Sequence, residues 1–222
     1  PLPDTIVRAA AFRALKRTLV ANQTVEPTQV AGFNQFYDDI NSTESWRYGV
    51  AVDQKIGLNA YGGLEFSQRD LKVPTPTAVG TFSLENLDGK EQLGRAYLYG
   101  TPHNWIGLRA EYLYERWERD VRSSLATTLN THRVPVGINF FHPSGLAASF
   151  QATYINQQGW FLPQGALPLP ENLQSGKDDF WLCDASIGYR LPQRYGIVSV
   201  GAKNLFNQSF KYFDTDTFNP AI

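Results

Sequence analysis

Ten polar or charged residues sit where alternation would carry them to one side of a sheet: Arg47, Asp53, Glu65, Arg69, Arg109, Glu111, Arg133, Gln151, Asp184 and Lys203. Each lies in a run whose alternate residues are largely apolar, and successive side chains of a strand point to opposite faces. Their mixed signs suit ion pairs across a wall better than a single-sign selectivity filter. In a barrel with lipid outside, they would line a watery lumen or meet a plug. In a sandwich they would be the solvated outside.

The other residues able to do chemistry are scattered. His103, His132 and His142 fall in separate links or strand ends, without metal-ligand spacing. Asp214 and Asp216, with Asp38 and Asp39, offer oxygens to calcium, but solvated loop acids are the simpler reading. Ser149 and His142 have the residue types of a nucleophile and its base, and nothing in the spacing joins them. There is no Gly-rich phosphate loop, no G-x-S-x-G and no H-E-x-x-H. The sequence therefore predicts no enzyme, no cofactor and no metal site. Trp160, Phe161, Tyr212 and Phe213 fall in links and are the candidates for contact with a ligand, or for packing on one another.

Composition narrows the setting. The chain has 222 residues and a formal charge of −1, so no basic excess points to nucleic acid. Aromatics make up 14% and charged residues 18%, the latter below the ~25% of an average soluble protein. A single cysteine, Cys183, leaves no internal disulfide and suits a small hydrophobe facing lipid. The Pro-Leu-Pro-Asp start, without Met or a basic-then-apolar leader, reads as a mature chain, a processed product or a fragment. No run approaches ~18 consecutive apolar residues, which excludes a transmembrane helix but not barrel strands.

The elements that must position these residues follow from period 2. Trp46, Tyr48, Val50 and Val52 form one apolar row, and Leu64 and Phe66 belong to the next. Residues 91–100 read as a weaker strand whose faces stay unassigned. Ile106 to Tyr114, Val134 to Phe140, Leu146 to Tyr154, Trp181 to Tyr189 and Val198 to Ala202 continue the pattern. Residues 5–13 fit a helix about as well as a strand, and the all-strand neighbourhood decides for strand. The total is nine strands of roughly ten residues.

Links alternate in length. Those near 57–59, 101–104, 142–145 and 191–194 are short; those at 14–44, 71–89, 118–130 and 158–177 are long. In an up-and-down antiparallel sheet this puts every short turn at one end, the asymmetry of outer-membrane barrels with short periplasmic turns and long extracellular loops. Trp105, Phe140, Phe141, Tyr189 and Tyr195 lie toward the short-turn end. Tyr112, Tyr114, Trp117, Tyr154, Trp160 and Trp181 lie toward the other, as two interfacial belts would require.

The stretch A-K-N-L-F-N-Q-S-F-K-Y, residues 202–212, resembles the penultimate strand of TonB-dependent receptor barrels, where Asn-Leu-Phe-(Asn/Asp) and a following Tyr precede the last extracellular loop. D-A-S-I-G-Y-R-L, residues 184–191, resembles the hairpin into that strand, and V-E-P-T-Q-V, residues 25–30, the family's L-x-P-E entry, with Thr28 in place of Glu. The resemblance implies that residues 1–222 are a C-terminal portion of one bacterial outer-membrane β-barrel, without its plug domain or closing strand. It also implies solute uptake, with outer-membrane lipid, the remainder of the barrel and a TonB-type energising protein as partners. The rival readings are a passive or export barrel fused to periplasmic domains, and a soluble β-sheet ligand-binding module. An outer-membrane enzyme, which lipid or ester hydrolysis would reveal, is a third.

Overall fold

The computed structural model describes residues 3–16, 29–34, 39–77 and 83–213. It is all-β, and one antiparallel up-and-down sheet contains nine strands: β1 (Thr5–Leu15), β4 (Glu44–Ile56), β5 (Ala60–Pro76), β6 (Leu84–His103), β7 (Ile106–Arg119), β8 (Ala126–Phe141), β9 (Leu146–Phe161), β10 (Gln174–Arg190) and β11 (Ile197–Ala202). They pair in chain order, and the sheet is not closed: the order ends on β1 at one side and β11 at the other. A separate small hairpin joins β2 (Gln29–Val30) to β3 (Phe33–Asn34). The strand reading of residues 5–13 holds, with β1 paired to β4 along its whole length.

Strands run longer than the sequence predicts, so three of the expected long links shrink. The link expected at 71–89 reduces to the residues between Pro76 and Leu84, and that at 118–130 to those between Arg119 and Ala126. That at 158–177 begins after Phe161 and ends before Gln174, with a single 3-10 turn at Pro170–Asn172. At the other end, the turn expected at 101–104 moves to the two residues between His103 and Ile106. The weak strand at 91–100 is the longest of all, 20 residues.

The two faces have different surroundings. One, the covered face, carries Arg47, Gly49, Ala51 and Asp53 of β4, all buried. The other, the open face, carries Trp46, Tyr48, Val50 and Val52, all exposed. Over the short-turn half of β4 and β5 this is the reverse of a water-soluble sheet, with polar side chains sheltered and apolar ones bare, while β11 at the far edge is exposed on both faces. One ladder row on the open face reads Gly62, Leu98, Ala110, Val136, Ala152 and Cys183.

Farther along the strands the faces exchange character. Another open-face row reads Gln68, Gln92, Arg116, Asn130, Gln158 and Lys177. On the covered face at that end, Leu71, Val73, Leu87, Leu129, Ile155 and Phe180 make an ordinary buried core. Alternation persists, with the signs swapped.

The limit between the two regimes is marked on the open face by Trp46 in β4, Phe66 in β5, Tyr114 in β7, Tyr154 in β9 and Trp181 in β10. The next open-face residues are Glu44, Gln68, Arg116, Asn156 and Asp179. This limit does not follow a ladder row. Trp46 shares its row with Asp70, Lys90, Glu118, Thr128, Trp160 and Ser175. From Ser175 to Trp181 is six residues along β10, so the limit drops six residues over the six strand steps from β4 to β10, in stages: Phe66 and Tyr114 share a row four residues below that of Trp46, and Tyr154 and Trp181 share one six below. Trp117, expected in an aromatic belt, is instead on the covered face, where its ring meets Phe213 at 6.1 Å.

Candidate functional site

The covered face gathers the residues that the sequence singled out. Arg47 pairs across strands with Arg69, Asp53 with Gly63, and Glu65 with Arg95. Glu111 pairs with Tyr97, Arg109 with Gly137, Arg133 with Ile155, and Gln151 with Asp184. Nine of the ten therefore share one face. Lys203 lies just beyond the last paired residue of β11, exposed in a bend.

Within this face the charges pair into a network that sequence reasoning did not resolve. Arg8 donates Nε to Asp53 at 2.7 Å and Nη2 to Glu65 at 3.4 Å. The hydroxyl of Tyr97 donates to Asp53 at 2.5 Å. Arg95 donates to Glu111 at 2.9 Å and to the Tyr99 hydroxyl at 2.7 Å, and that hydroxyl donates to Glu111 at 2.7 Å. Nearer the long-link end Arg69 donates to Glu91 at 2.7 Å and pairs with Asp39, and Arg119 also pairs with Glu91. Arg47 donates to Ser67 at 2.9 Å. Arg8, Arg95, Tyr97, Tyr99, Glu91 and Arg119 had not been named. Their only signal in the sequence is alternation in the two segments, 5–13 and 91–100, that the pattern leaves open, and Arg119 falls in an expected link.

Two chain segments lie on the covered face. The first is the β2–β3 hairpin. Phe33 is fully buried, with the Arg8 guanidinium over its ring at 5.4 Å, and Arg8 also donates to the Ala31 carbonyl at 3.1 Å. Glycine makes both approaches possible. Gly32 has φ +84° beside the Arg8 side chain. A Cβ on Gly49 would stand 2.5 Å from the Phe33 ring. Gly49→Ala is accordingly expected to destabilise the protein by about 1–3 kcal/mol through overpacking. It should also expose the hairpin to protease; unchanged cleavage and midpoint would show that the hairpin does not need this seat.

The second segment answers what the Asn-Leu-Phe-Asn stretch does. Asn204 and Asn207 both take positive φ, 48° and 51°, conformations that Asn tolerates better than most residues. The backbone N–H of Asn204 is held by Asp184 at 2.8 Å, and its side chain exchanges hydrogen bonds with the Gln208 backbone. Strand β11 ends here, and the chain turns across the covered face. Phe210 stacks on Phe180 at 4.4 Å, and Asp178 accepts the Lys211 N–H at 2.5 Å. Gln157, buried, bonds both the N–H and the carbonyl of Phe213, at 2.8 and 3.0 Å. Arg133 donates to the Tyr212 hydroxyl at 2.8 Å. Phe161 meets Phe213 at 5.7 Å, whereas Trp160 is exposed on the opposite face. Of the four aromatic ligand candidates, three therefore pack on one another or on the sheet.

The remaining candidates separate. His103 and His142 both approach Trp105, at 5.0 and 4.9 Å, while His132 bonds the Tyr112 hydroxyl on the open face. Ser149 bonds Ser186 and His142 bonds Ser144, so the two do not meet. Among the described residues no group of three or more His, Cys, Asp or Glu is placed to hold a metal ion. Asp38, Asp214 and Asp216 lie outside the described residues. No family model, no curated protein and no solved structure matches the chain, so the likeness to TonB-dependent receptors rests on the motifs quoted above.

Proposed function

We propose that this sheet is part of the wall of an outer-membrane β-barrel similar to TonB-dependent receptors, with the open face toward lipid and the covered face toward a lumen through which a small solute is taken up. The observation that carries the reading is the slope of the apolar band. Between β4 and β10 the drop averages one residue per strand, about 3.3 Å along for about 4.8 Å across, a mean tilt of about 35°. Walls of outer-membrane barrels tilt by ~35–45°. The apolar rows Ile106–Tyr114, Leu146–Tyr154 and Trp181–Tyr189 span nine residues each, close to the ~9–11 of a bilayer-crossing strand. A soluble monomer rarely bares an apolar patch above a few hundred Å², and here the bare band runs across the strands.

Strand parity adds a requirement. All eight neighbouring pairs are antiparallel, so β1 and β11 run in the same direction. Joining them directly would make a parallel pair; an all-antiparallel wall needs an odd number of further strands between them. Such closure is obligatory in lipid, where an open edge leaves backbone groups unsatisfied.

The test is outer-membrane fractionation of the native protein with heat-modifiable gel migration. Retention in that fraction and a mobility shift on boiling are expected, followed by solute uptake that depends on the energising partner. Recovery in the soluble fraction without detergent would sink the barrel reading and the transport reading together.

A further inference from the structure

On the β1–β6 side of the covered face three arginines have carboxylate partners, Arg8 with Asp53 and Glu65, Arg69 with Asp39 and Glu91, and Arg95 with Glu111 across to β7, while the buried Arg47 donates to Ser67. Arg109 of β7 and Arg133 of β8 differ. Among the described residues neither makes an ion pair, and the polar partner of Arg133 is a neutral phenol, the Tyr212 hydroxyl at 2.8 Å. The carboxylate two residues from Arg109, Glu111, is already held by Arg95 and Tyr99. Glu115, on the same face, has its own interaction.

Their setting is built for reach. Arg109 lies against Gly137, where a Cβ would stand 3.1 Å from its Nε, so the missing side chain leaves the guanidinium room. Gln151 lies beside the same glycine and donates to Thr153 at 3.0 Å. Arg133 is four residues from Gly137 on β8, about 13 Å along the strand. Two side chains of arginine length can span that gap around a single anionic solute or pass one between them. Guanidinium forks bind carboxylate and phosphate oxygens through paired, charge-assisted bonds, which a neutral phenol cannot match.

We propose that the covered face over β7–β9 is a binding site for an anionic solute, a carboxylate or phosphate, held by Arg109 and Arg133, with Tyr212 giving up Arg133 as the anion arrives. This rests on the lumen reading for its biological direction, but the chemistry of the site does not depend on lipid. The segment carrying Tyr212 is attached through side chains, by hydrogen bonds with Gln157, Arg133 and Asp178 and by ring contacts with Trp117, Phe161 and Phe180, and not through a strand ladder. It can therefore yield without the sheet coming apart.

The experiment is calorimetric titration of the full-length protein in detergent with phenyl phosphate, and with phenyl glucoside as its uncharged match. Phenyl phosphate is expected to bind at least ~10-fold more tightly. Arg109→Gln and Arg133→Gln should each weaken it at least ~5-fold, Arg133→Lys less, and Lys72→Gln on the opposite face not at all. Tyr212→Phe, which removes the competing hydroxyl, should tighten it. Equal affinity for both probes, or indifference to both glutamine variants, overturns the proposal. Heat-modifiable migration of the same samples separates the failures. A shift without anion preference removes the anion site alone. Anion preference in a detergent-free soluble protein keeps the site and removes the barrel.

Discussion

Ala110→Arg is expected, on the barrel reading proposed above, to destabilise the protein by about 2–4 kcal/mol, the cost of an arginine on a lipid-facing strand at the bilayer midplane. Ala110 is the middle residue of the row Ile106–Tyr114, exposed on the open face, between Leu98 of β6 and Val136 of β8. In water the same substitution at an exposed strand position stays within about ±0.5 kcal/mol, since it fills no cavity and buries no charge. The two environments thus predict outcomes that differ severalfold from one residue. Asn130→Arg is the internal comparison. It stands on the same face of the neighbouring strand, in the all-polar row with Arg116 and Gln158, and should be nearly neutral. Denaturant midpoints of the protein refolded into bilayers check both. A cost below about 1 kcal/mol for Ala110→Arg would show that the open face meets water or protein.

Much of this architecture was legible because alternation needs only contrast. Wherever Val, Leu or an aromatic alternates with Arg, Asp or Ser, as in 46–53 and 105–115, the faces come directly from the sequence. The same rule failed once its assumption failed. In β7 the open face runs Tyr112, Tyr114, Arg116, Glu118 while the covered face runs Leu113, Glu115, Trp117, Arg119. The period continues, but the apolar row moves to the other side, so a search for one continuous apolar row stops near Trp117 and reads the remainder as loop. Strand β6 resisted assignment for a related reason. Tyr97 and Tyr99 are on the polar side, with hydroxyls bonded to Asp53 and Glu111, and an aromatic ring with a polar tip does not declare its face. Arg8 was missed because its partner Asp53 is 45 positions away, and only the β1–β4 register brings them together. Tyr212 and Phe213 read from the sequence as aromatic loop residues, and the turn at Asn204 that brings them onto the sheet is set by Asp184, a residue in another strand.

Asp53→Leu is expected to destabilise by about 2–4 kcal/mol, the range for stripping one partner from a sheltered ion pair, reduced because Arg8 retains some exposure. Asp53 is 5% exposed and accepts from Arg8 twice and from Tyr97 once. Leucine leaves the Arg8 guanidinium with Glu65 at 3.4 Å and leaves the Tyr97 hydroxyl without its acceptor. The decisive comparison is the double substitution Asp53→Leu with Arg8→Met. Replacing a sheltered pair by apolar groups of similar size is often neutral, since neither charge is then left without solvent or partner. The double variant should therefore recover at least about 2 kcal/mol relative to the sum of the singles. Glu65 and Phe33 decide how complete that recovery is, because Arg8 also touches both. If the covered face were open to bulk water, each single substitution would cost no more than about 1 kcal/mol and the pair would show almost no coupling. Denaturation of the four proteins at low and high salt distinguishes the cases. Coupling that survives salt marks a sheltered network lining the wall, and coupling that salt abolishes marks a surface one.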